Sequence, residues 1–329
     1  SLASGVYRIR PDGTVKHLLK ADGLIHSGGT RVVYHDDEGI VWIGSGVGGL
    51  SRLRPRRFRH LGETEGLGDR VILTLAPLPD GRVLLTSYGS DGLAYFDGEK
   101  NVQRFAAGNL GTAPVRSVVR RRDGSVWLGT FGSGLLRLDG AEITPVRSEI
   151  FGPRETINTL FEDSRDRLWV GSDNQAAVLE NNEFRRVGPL GIAERTSATL
   201  FAERPNGTIV LARHNEVFEF GPSGLNPAPI LRLGGDERIA TVLVDREDRL
   251  WIGTARHGLV VVSGTAQHRL TTEQGLPGEA ISSLVQDDQG LLWFGSNRQI
   301  VRAAPDELWH AAHTPGTLPA VRIFDQGDG

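Results

Sequence analysis

The stretch that decides the fold is G-L-P-G-E-A-I-S-S-L-V-Q-D-D-Q-G-L-L-W-F-G-S at residues 275–296. Its second half recurs as D-D-E-G-I-V-W-I-G-S at 36–45, R-D-G-S-V-W-L-G-T at 122–130, D-S-R-D-R-L-W-V-G-S at 163–172 and D-R-E-D-R-L-W-I-G-T at 245–254. Two weaker copies are P-D-G-R-V-L-L-T-S at 79–87 and P-N-G-T-I-V-L-A-R at 205–213. The tryptophan position is therefore held by Trp42, Leu84, Trp127, Trp169, Val210, Trp251 and Trp293, with spacings of 42, 43, 42, 41, 41 and 42 residues. This regularity predicts one structural unit repeated seven times.

Each unit reads as four short β-strands. In the last unit, the expected strands are Ile281–Gln286, Leu291–Gly295, Ile300–Ala303 and Glu307–Ala311, with a tight turn at Asp287–Gly290. Short β-branched or aromatic runs bounded by Gly, Asp, Asn and Pro are typical of strands and turns. Four strands in each repeat of ~40–45 residues is typical of a β-propeller, in which one repeat forms one blade. The sequence therefore predicts an all-β protein, a β-propeller of four-stranded blades.

The repeated tryptophan has a physical role in this arrangement. A four-stranded unit cannot bury both of its faces alone, but radial stacking buries each face against a neighbour and leaves only short edges. We expect the indole on the second strand to be the wedge between adjacent blades, and the glycine after it to let neighbouring backbone approach closely. Replacing Trp169 or Trp251 by alanine should then cost ~3–5 kcal/mol.

The repeats predict a single propeller domain over residues 1–329. Complete units are expected near residues 30–61, 70–105, 115–147, 156–187, 197–232, 238–270 and 280–311, with partial units at 4–19 and 317–329. Seven units carry the full pattern, so we predict seven blades. Eight blades are the alternative if the terminal strands complete one more.

Composition narrows the classes of function. The chain has 329 residues, a formal net charge of −3 and no cysteine, and its sequence pI is near 6.3. This charge gives no support for nucleic-acid binding, which shows as a basic domain or stripe. The lack of cysteine excludes disulfides, thiolate metal sites and thiol catalysis. No apolar run reaches the ~20 residues of a membrane span. The lack of any methionine predicts a mature or excised segment of a longer chain.

The repeat resembles that of the two-component regulator propeller family. The resemblance is carried by residues 275–296 and by the stretch from Asp22-Gly-Leu-Ile to Trp42-Ile-Gly-Ser-Gly-Val-Gly-Gly-Leu50. It implies the periplasmic sensor domain of a bacterial receptor, followed in the same polypeptide by a membrane span and a histidine kinase or diguanylate cyclase. In the best-known group of this family the ligands are oligosaccharides, so the resemblance implies a small polar or anionic ligand.

The candidate ligand-binding residues lie on the rim formed by the connections between second and third strands, because binding residues concentrate on loops held by a rigid scaffold. Arginine could pair with carboxylate or sulfate, asparagine could bind hydroxyl groups, and Tyr88 or Phe131 could stack on a sugar. Arg70, Arg116 and Arg238 start first strands and could point to the same rim. The predicted site residues are Tyr88, Phe131, Asp173, Asn174, Arg213, His214, Arg256, His257, Asn297 and Arg298.

Other polar groups favour structural roles. The pairs Asp36-Asp37 and Asp287-Asp288 fall on the repeat's turn, together with Asp163 and Asp245, and aspartate in a turn binds backbone N–H groups. The nine histidines form no His-x-x-x-His pattern. We therefore predict no metal, cofactor or catalytic residue.

Two other functions stay open at this level. A protein-interaction propeller would present an apolar patch on the rim, whereas the predicted loops are polar. A propeller lyase or hydrolase would need a rim base, for which His214, Glu216 and His257 are the candidates. A non-enzymatic sensor module is the preferred prediction, although fold alone does not decide function.

Overall fold

The computed structural model describes residues 6–9, 13–18, 30–35, 41–45, 49–53, 71–78, 80–87, 93–97, 102–104, 113–140, 142–173, 175–188, 199–296 and 299–324. The chain divides into two compact units, Ser1–His60 with Asp325–Gly329, and Leu61–Phe324. Apart from one α-helix and a short 3-10 helix (Thr272–Gln274), the regular structure in the described residues is antiparallel β-sheet.

The first unit holds two small sheets. Strands β1 (Val6–Ile9) and β2 (Val15–Leu18) form a two-stranded sheet. Strands β3 (Thr30–His35), β4 (Val41–Ser45) and β5 (Gly49–Leu53) form a three-stranded sheet with Trp42 on its central strand.

The second unit holds six sheets, each named here for the residue at the tryptophan position of its second strand. The Leu84 sheet is β6 (Ile72–Pro77), β7 (Val83–Ser87), β8 (Leu93–Phe96) and β9 (Val102–Arg104); the Trp127 sheet is β10 (Val115–Arg120), β11 (Val126–Thr130), β12 (Leu135–Asp139) and β13 (Glu142–Pro145). The Trp169 sheet is β14 (Ile157–Glu162), β15 (Leu168–Ser172), β16 (Ala176–Glu180) and β17 (Glu183–Arg186); the Val210 sheet is β18 (Thr199–Glu203), β19 (Ile209–Arg213), β20 (Glu216–Gly221), β21 (Gly224–Leu225) and β22 (Leu231–Arg232). The Trp251 sheet is β23 (Ile239–Val244), β24 (Leu250–Thr254), β25 (Leu259–Ser263) and β26 (Ala266–Leu270); the Trp293 sheet is β27 (Ile281–Gln286), β28 (Leu292–Ser296), β29 (Gln299–Ala303) and β30 (Val321–Phe324).

Consecutive sheets of this unit lie side by side through their first strands, in the order β6, β10, β14, β18, β23 and β27. Apolar side chains fill each of the five spaces between neighbouring sheets. Trp169 and Trp251 are fully buried in these spaces, packed against residues of the following sheet. The predicted wedge role is thus confirmed for Trp127, Trp169 and Trp251. The β-propeller fold is confirmed as well, and seven sheets with a tryptophan-position strand are consistent with seven blades.

A turn aspartate, buried in the case of Asp163 and Asp245, binds the indole N–H of several of these tryptophans. The Nε1–H group donates a 2.7 Å hydrogen bond to the turn aspartate in the pairs Trp169–Asp163, Trp251–Asp245 and Trp293–Asp287. The same aspartates accept backbone N–H groups across the turn, as predicted. The indole contact is an additional role that the sequence reading did not identify. Leu84 and Val210, which cannot donate this bond, have Leu78 and Arg204 at the aspartate position.

In the Trp127 sheet the indole binds an aspartate indirectly, through the hydroxyl of a serine. Arg121 stands at the aspartate position, and the indole of Trp127 donates instead to Ser125 Oγ over 3.0 Å. That hydroxyl donates to Asp123 Oδ1 over 2.6 Å. The indole N–H is therefore satisfied in each described sheet in which it is buried, as expected for a buried polar group.

The structure corrects two predictions at the C-terminus. Glu307–Ala311, expected to be the fourth strand of the last unit, lies in helix α1 (Pro305–His313). The helix has proline in its first turn together with Asp306 and Glu307, a composition that favours a helix start, and it buries Leu308 and Ala311 one turn apart.

The fourth strand of the last unit is instead β30. It pairs with β29 in the register Ala303↔Val321. Residues 317–329, expected to open a further unit, therefore contain the strand that completes the last sheet, and the last repeat extends beyond residue 311.

Candidate ligand-binding rim

The start of each first strand and the loop between second and third strands lie at the same end of a sheet. Val115 at the start of β10 pairs with Thr130 at the end of β11, and Ile157 pairs with Ser172 in the same way. Side chains from these two places are therefore neighbours, and in consecutive sheets they form one continuous rim.

A β-bulge at the second position of the first strand aims a side chain differently from its neighbours. The register shifts around Arg116 in β10 and around Asn158 in β14, and the equivalent shifts occur at Ala240 and Ser282. A bulge leaves one residue outside the ladder and re-aims it, often beside a functional site. Arg116 and Asn158 are thus freed from strand pairing at the rim.

These two bulge residues form part of a hydrogen-bonded chain that crosses three sheets. Arg116 Nη1 donates to Asn158 Oδ1 over 2.7 Å, and Asn158 Nδ2 donates to Asp173 Oδ1 over 2.6 Å. The backbone carbonyl of Asp173 accepts from Arg213 Nη2 over 2.7 Å. We call Arg116, Asn158, Asp173 and Arg213 the rim chain.

An aromatic platform lies at the exposed end of the rim chain. The guanidinium carbon of Arg116 is 4.8 Å from the ring centre of Phe131, whose side chain is 50% exposed. Large apolar side chains are usually covered, and an exposed ring beside a guanidinium can stack on a ligand. The exposed end of the chain thus combines a cation with a flat apolar surface.

The opposite end of the rim chain is buried. Arg213 is only 5% exposed, and this burial lowers the pKa of its guanidinium, although the nearby Asp173 acts in the opposite direction. A guanidinium stays charged even so, because it does not lose its proton in proteins. Arg213 is therefore a fixed positive charge whose Nη2 group binds the backbone carbonyl of Asp173.

Three further predicted residues, His214, Arg256 and His257, lie in the rim loops of the Val210 and Trp251 sheets. His214 has a left-handed backbone (φ 56°), and its carbonyl accepts from the Ile239 N–H over 2.7 Å. Glu216 is paired with Arg232, with Oε1 2.5 Å from Nη2. The structure therefore gives Glu216 a charge partner other than the histidine that a rim-base mechanism would use.

In the Trp251 sheet, Arg256 is exposed and His257 is partly buried. The His257 N–H donates to Thr254 Oγ1 over 2.8 Å, and its Nδ1 is shielded from solvent with no hydrogen-bond partner among the described residues. Tyr88, Asn174, Asn297 and Arg298 lie outside the described residues, as does Arg70. Of the ten predicted residues, Phe131, Asp173 and Arg213 are brought together by the rim chain.

Asn158 was missed by sequence reasoning, and Arg116 was named only for its position at a strand start. The signal for both is their shared place eleven residues before a tryptophan. Alignment of the repeats on tryptophan shows this position, but the bulge that makes it functional is visible only in the strand register.

Within the described residues, no group of three or more His, Cys, Asp and Glu side chains is arranged to hold a metal ion. No helix in the same part of the chain is long and apolar enough to cross a bilayer.

Comparison with known proteins gives a consistent family signal. Residues 152–174 and 275–298 match the model of the two component regulator propeller family. A search of curated proteins found no match.

Three solved structures share the fold. The extracellular domain of a putative hybrid two component system from B. thetaiotaomicron has a TM-score of 0.67 at 15% identity, covering 100% of this chain and 45% of that one. A second such domain from the same organism has a TM-score of 0.53 at 17% identity, covering 91% and 46%. Virginiamycin B lyase from Staphylococcus aureus has a TM-score of 0.59 at 11% identity, covering 77% and 84%.

The chain spans less than half the length of the two hybrid two component domains. Sequence repeat and sheet architecture agree with one another: the chain is a β-propeller, and two of its repeats, at residues 152–174 and 275–298, match the two component regulator propeller model.

Proposed function

We propose that this chain is the extracytoplasmic ligand-sensing propeller of a bacterial signal-transduction receptor. In this proposal its rim binds a small polar or anionic ligand, such as an oligosaccharide. Signalling domains elsewhere in the same polypeptide carry the output. The family match and the likeness to extracellular domains of hybrid two component systems support this assignment.

The single observation that carries the proposal is the rim chain beside Phe131. Hydrogen bonds link three consecutive sheets, and they end at an exposed guanidinium and an exposed ring. In a pocket for a small ligand, a few converging polar groups set orientation while an apolar surface supplies contact area.

Each member has a defined part in binding. Arg116 presents its remaining N–H groups to a carboxylate, sulfate or hydroxyl, in the forked geometry that suits such anions. Phe131 offers its ring face to a sugar. Asn158 and Asp173 hold Arg116 in place through successive hydrogen bonds, which reduces the entropy lost when a ligand binds.

The test is calorimetric titration of the purified chain with a panel of acidic, sulfated and neutral oligosaccharides. We expect saturable binding of an acidic member, and a loss of about 10-fold or more in affinity for Arg116→Ala, roughly the effect of one charge-assisted hydrogen bond. Arg185→Ala is the matched control, because Arg185 is an exposed arginine on the outer strand β17.

Two results would overturn the proposal. One is the absence of saturable binding across the panel. The other is equal affinity in the Arg116→Ala and Arg185→Ala proteins. Recovery of the bound sugar unchanged after incubation separates a sensor from a lyase, since a lyase would return cleaved product.

A further inference from the structure

A separate cavity is lined by Ser133 and Gly134, which belong to the loop that also carries Phe131. It has a volume of about 590 Å³, within the range typical of small-molecule sites. Its walls are mainly apolar and include Leu135, Leu136, Pro145, Phe151 and Pro153. Ser133, Ser148 and Arg147 add polar groups to the lining. We call it the Pro145 pocket.

The repeat explains why this space is open. Pro145 pairs with Leu136 at a register position that is occupied by arginine in other sheets: Arg269 opposite Val260, Arg186 opposite Ala177 and Arg104 opposite Ala94. At this position the Trp127 sheet therefore has the small ring of Pro145, whereas the sheets on either side of it have an arginine.

The Trp251 sheet shows what the arginine does. Arg269 Nη1 donates to the His257 carbonyl of the rim loop over 2.7 Å, and Nη2 lies 2.8 Å from Glu237. In the Trp169 sheet, Arg186 Nη1 likewise reaches the rim loop, at Gln175 Oε1 over 2.7 Å. A side chain thus spans from the fourth strand to the rim loop in these two sheets.

In the Trp127 sheet, other residue types stand where Arg269 finds its partners His257 and Glu237 in the Trp251 sheet. Ser133 stands in the place of His257, and Ala113 in the place of Glu237, two residues before the first strand's initial pair. A ligand in the Pro145 pocket can therefore use the Ser133 carbonyl as an acceptor but meets no equivalent of the Glu237 carboxylate. Among the described residues that line the pocket, Arg147 carries the one charge.

The turn after β13 shapes the floor. Ser148 Oγ accepts from the N–H groups of Ile150 and Phe151, at 3.0 and 3.3 Å, and Phe151 is buried against Trp127 and Phe184. The Phe151 ring meets that of Phe184 edge to face, with centres 5.9 Å apart. The apolar floor is fixed by packing, so the pocket is preformed.

We propose that the Pro145 pocket binds a small hydrophobic carboxylate, with its apolar body against the pocket's apolar walls, which include Pro145 and Pro153. The carboxylate pairs with Arg147, and an N–H or O–H group donates to the Ser133 carbonyl. The charge of the lining favours an anion, and its apolar walls favour an aromatic or branched body. This site shares no residue with the rim chain or with Phe131, although Ser133 and Gly134 lie in the same loop as Phe131.

The test uses N-acetyl-L-phenylalanine and its uncharged amide as probes in ligand-observed NMR titrations of the full chain. We expect saturable binding, with the acid tighter than the amide. Arg147→Ala should weaken the acid by about 10-fold, the scale of one charge-assisted hydrogen bond, and leave the amide unchanged.

Pro145→Arg is the filling variant, because it restores the side chain that the Trp169 and Trp251 sheets carry at this position. It should abolish binding of both probes, with an unchanged circular dichroism spectrum as the check of folding. Arg116→Ala should leave both probes unaffected, which separates this pocket from the rim.

The proposal is overturned if neither probe saturates, if Arg147→Ala weakens acid and amide equally, or if folded Pro145→Arg binds as the parent does. These outcomes are independent of the oligosaccharide titrations. Failure of the rim proposal would leave the pocket result standing, and the converse also holds.

Discussion

Trp251 donates its indole N–H to Asp245 Oδ2 over 2.7 Å, at a site where the indole is 0% and the aspartate 2% exposed. Arg249 Nε reaches the same oxygen over 2.7 Å, and the Arg249 N–H donates to Oδ1. One carboxylate therefore joins the turn between the first two strands to the side chain that wedges two sheets together. Arg249 also reaches Asp306 of helix α1 over 2.6 Å, which ties the helix to the Trp251 sheet.

Asp245→Asn should lower the free energy of unfolding by about 1–3 kcal/mol, because it removes a buried, charge-assisted acceptor of Arg249 and Trp251 while Arg249 keeps its ion pairs with Glu247 and Asp306. Urea unfolding of the purified chain measures this. Asp236→Asn, on an exposed loop of the same unit, should change stability by less than about 0.5 kcal/mol. Equal effects of the two substitutions would contradict the proposed role of the carboxylate.

Two substitutions of Trp169 separate packing from hydrogen bonding. Trp169→Phe keeps an aromatic ring near Phe201 and Phe220 but leaves the buried Asp163 without its indole donor, at a cost of about 1–3 kcal/mol. Trp169→Ala should cost about 3–5 kcal/mol, because it also opens a cavity. If both variants unfold at the same urea concentration, the hydrogen bond rather than packing dominates.

The hydrogen bonds to Asp287 predict a dependence of stability on pH. The Trp293 indole N–H, with help from the Leu291 backbone N–H, holds the pKa of Asp287 below its usual value. Because the folded pKa is the lower one, the ionised group stabilises the fold above the unfolded pKa of about 3.9. That contribution is lost as pH falls through the folded pKa.

Urea midpoints measured from pH 6 down to pH 3 test this. The parent should lose stability more steeply at the acid end than Asp287→Asn, which has no carboxyl to protonate. Parallel curves for the two proteins would show that Asp287 makes no such contribution.

Two glycines in rim loops share a left-handed backbone but differ in the space around them, so their alanine variants can be compared directly. Gly258 has φ 75°, and a Cβ there would lie 2.1 Å from the Leu270 carbonyl oxygen. Gly132 has φ 81° but open space around it. Gly132→Ala should cost only the left-handed penalty of about 1–2 kcal/mol, and Gly258→Ala clearly more. Equal melting temperatures for the two variants would contradict the close approach at Gly258.

Much of the fold follows from the tryptophan spacing. The regular step between Trp127, Trp169 and the later positions predicted the sheets, their strand order and the buried indoles, because a repeat that stacks on its copies must present the same wedge each time. The turn role of the aspartates also followed from residue type.

Other features depend on geometry that periodicity does not encode. Helix α1 lies in the last repeat where a strand was expected. The sequence did not predict it, because a nine-residue segment with few apolar positions gives a weak helical signal. Asn158 was missed because its role depends on a one-residue shift of strand register. The Pro145 pocket depends on a comparison of fourth strands whose register only the structure aligns.

The most direct test of the account is a double-mutant cycle on the rim chain, with affinity for an acidic oligosaccharide as the readout. Arg116→Ala, Asp173→Ala and the double variant are titrated calorimetrically beside the parent. Because Asn158 couples the two residues through successive hydrogen bonds, we predict a coupling free energy of about 0.5–3 kcal/mol, so that the second substitution costs little once the first is made. Additive losses, or affinities equal to that of the parent, would contradict a rim chain that binds ligand as one unit.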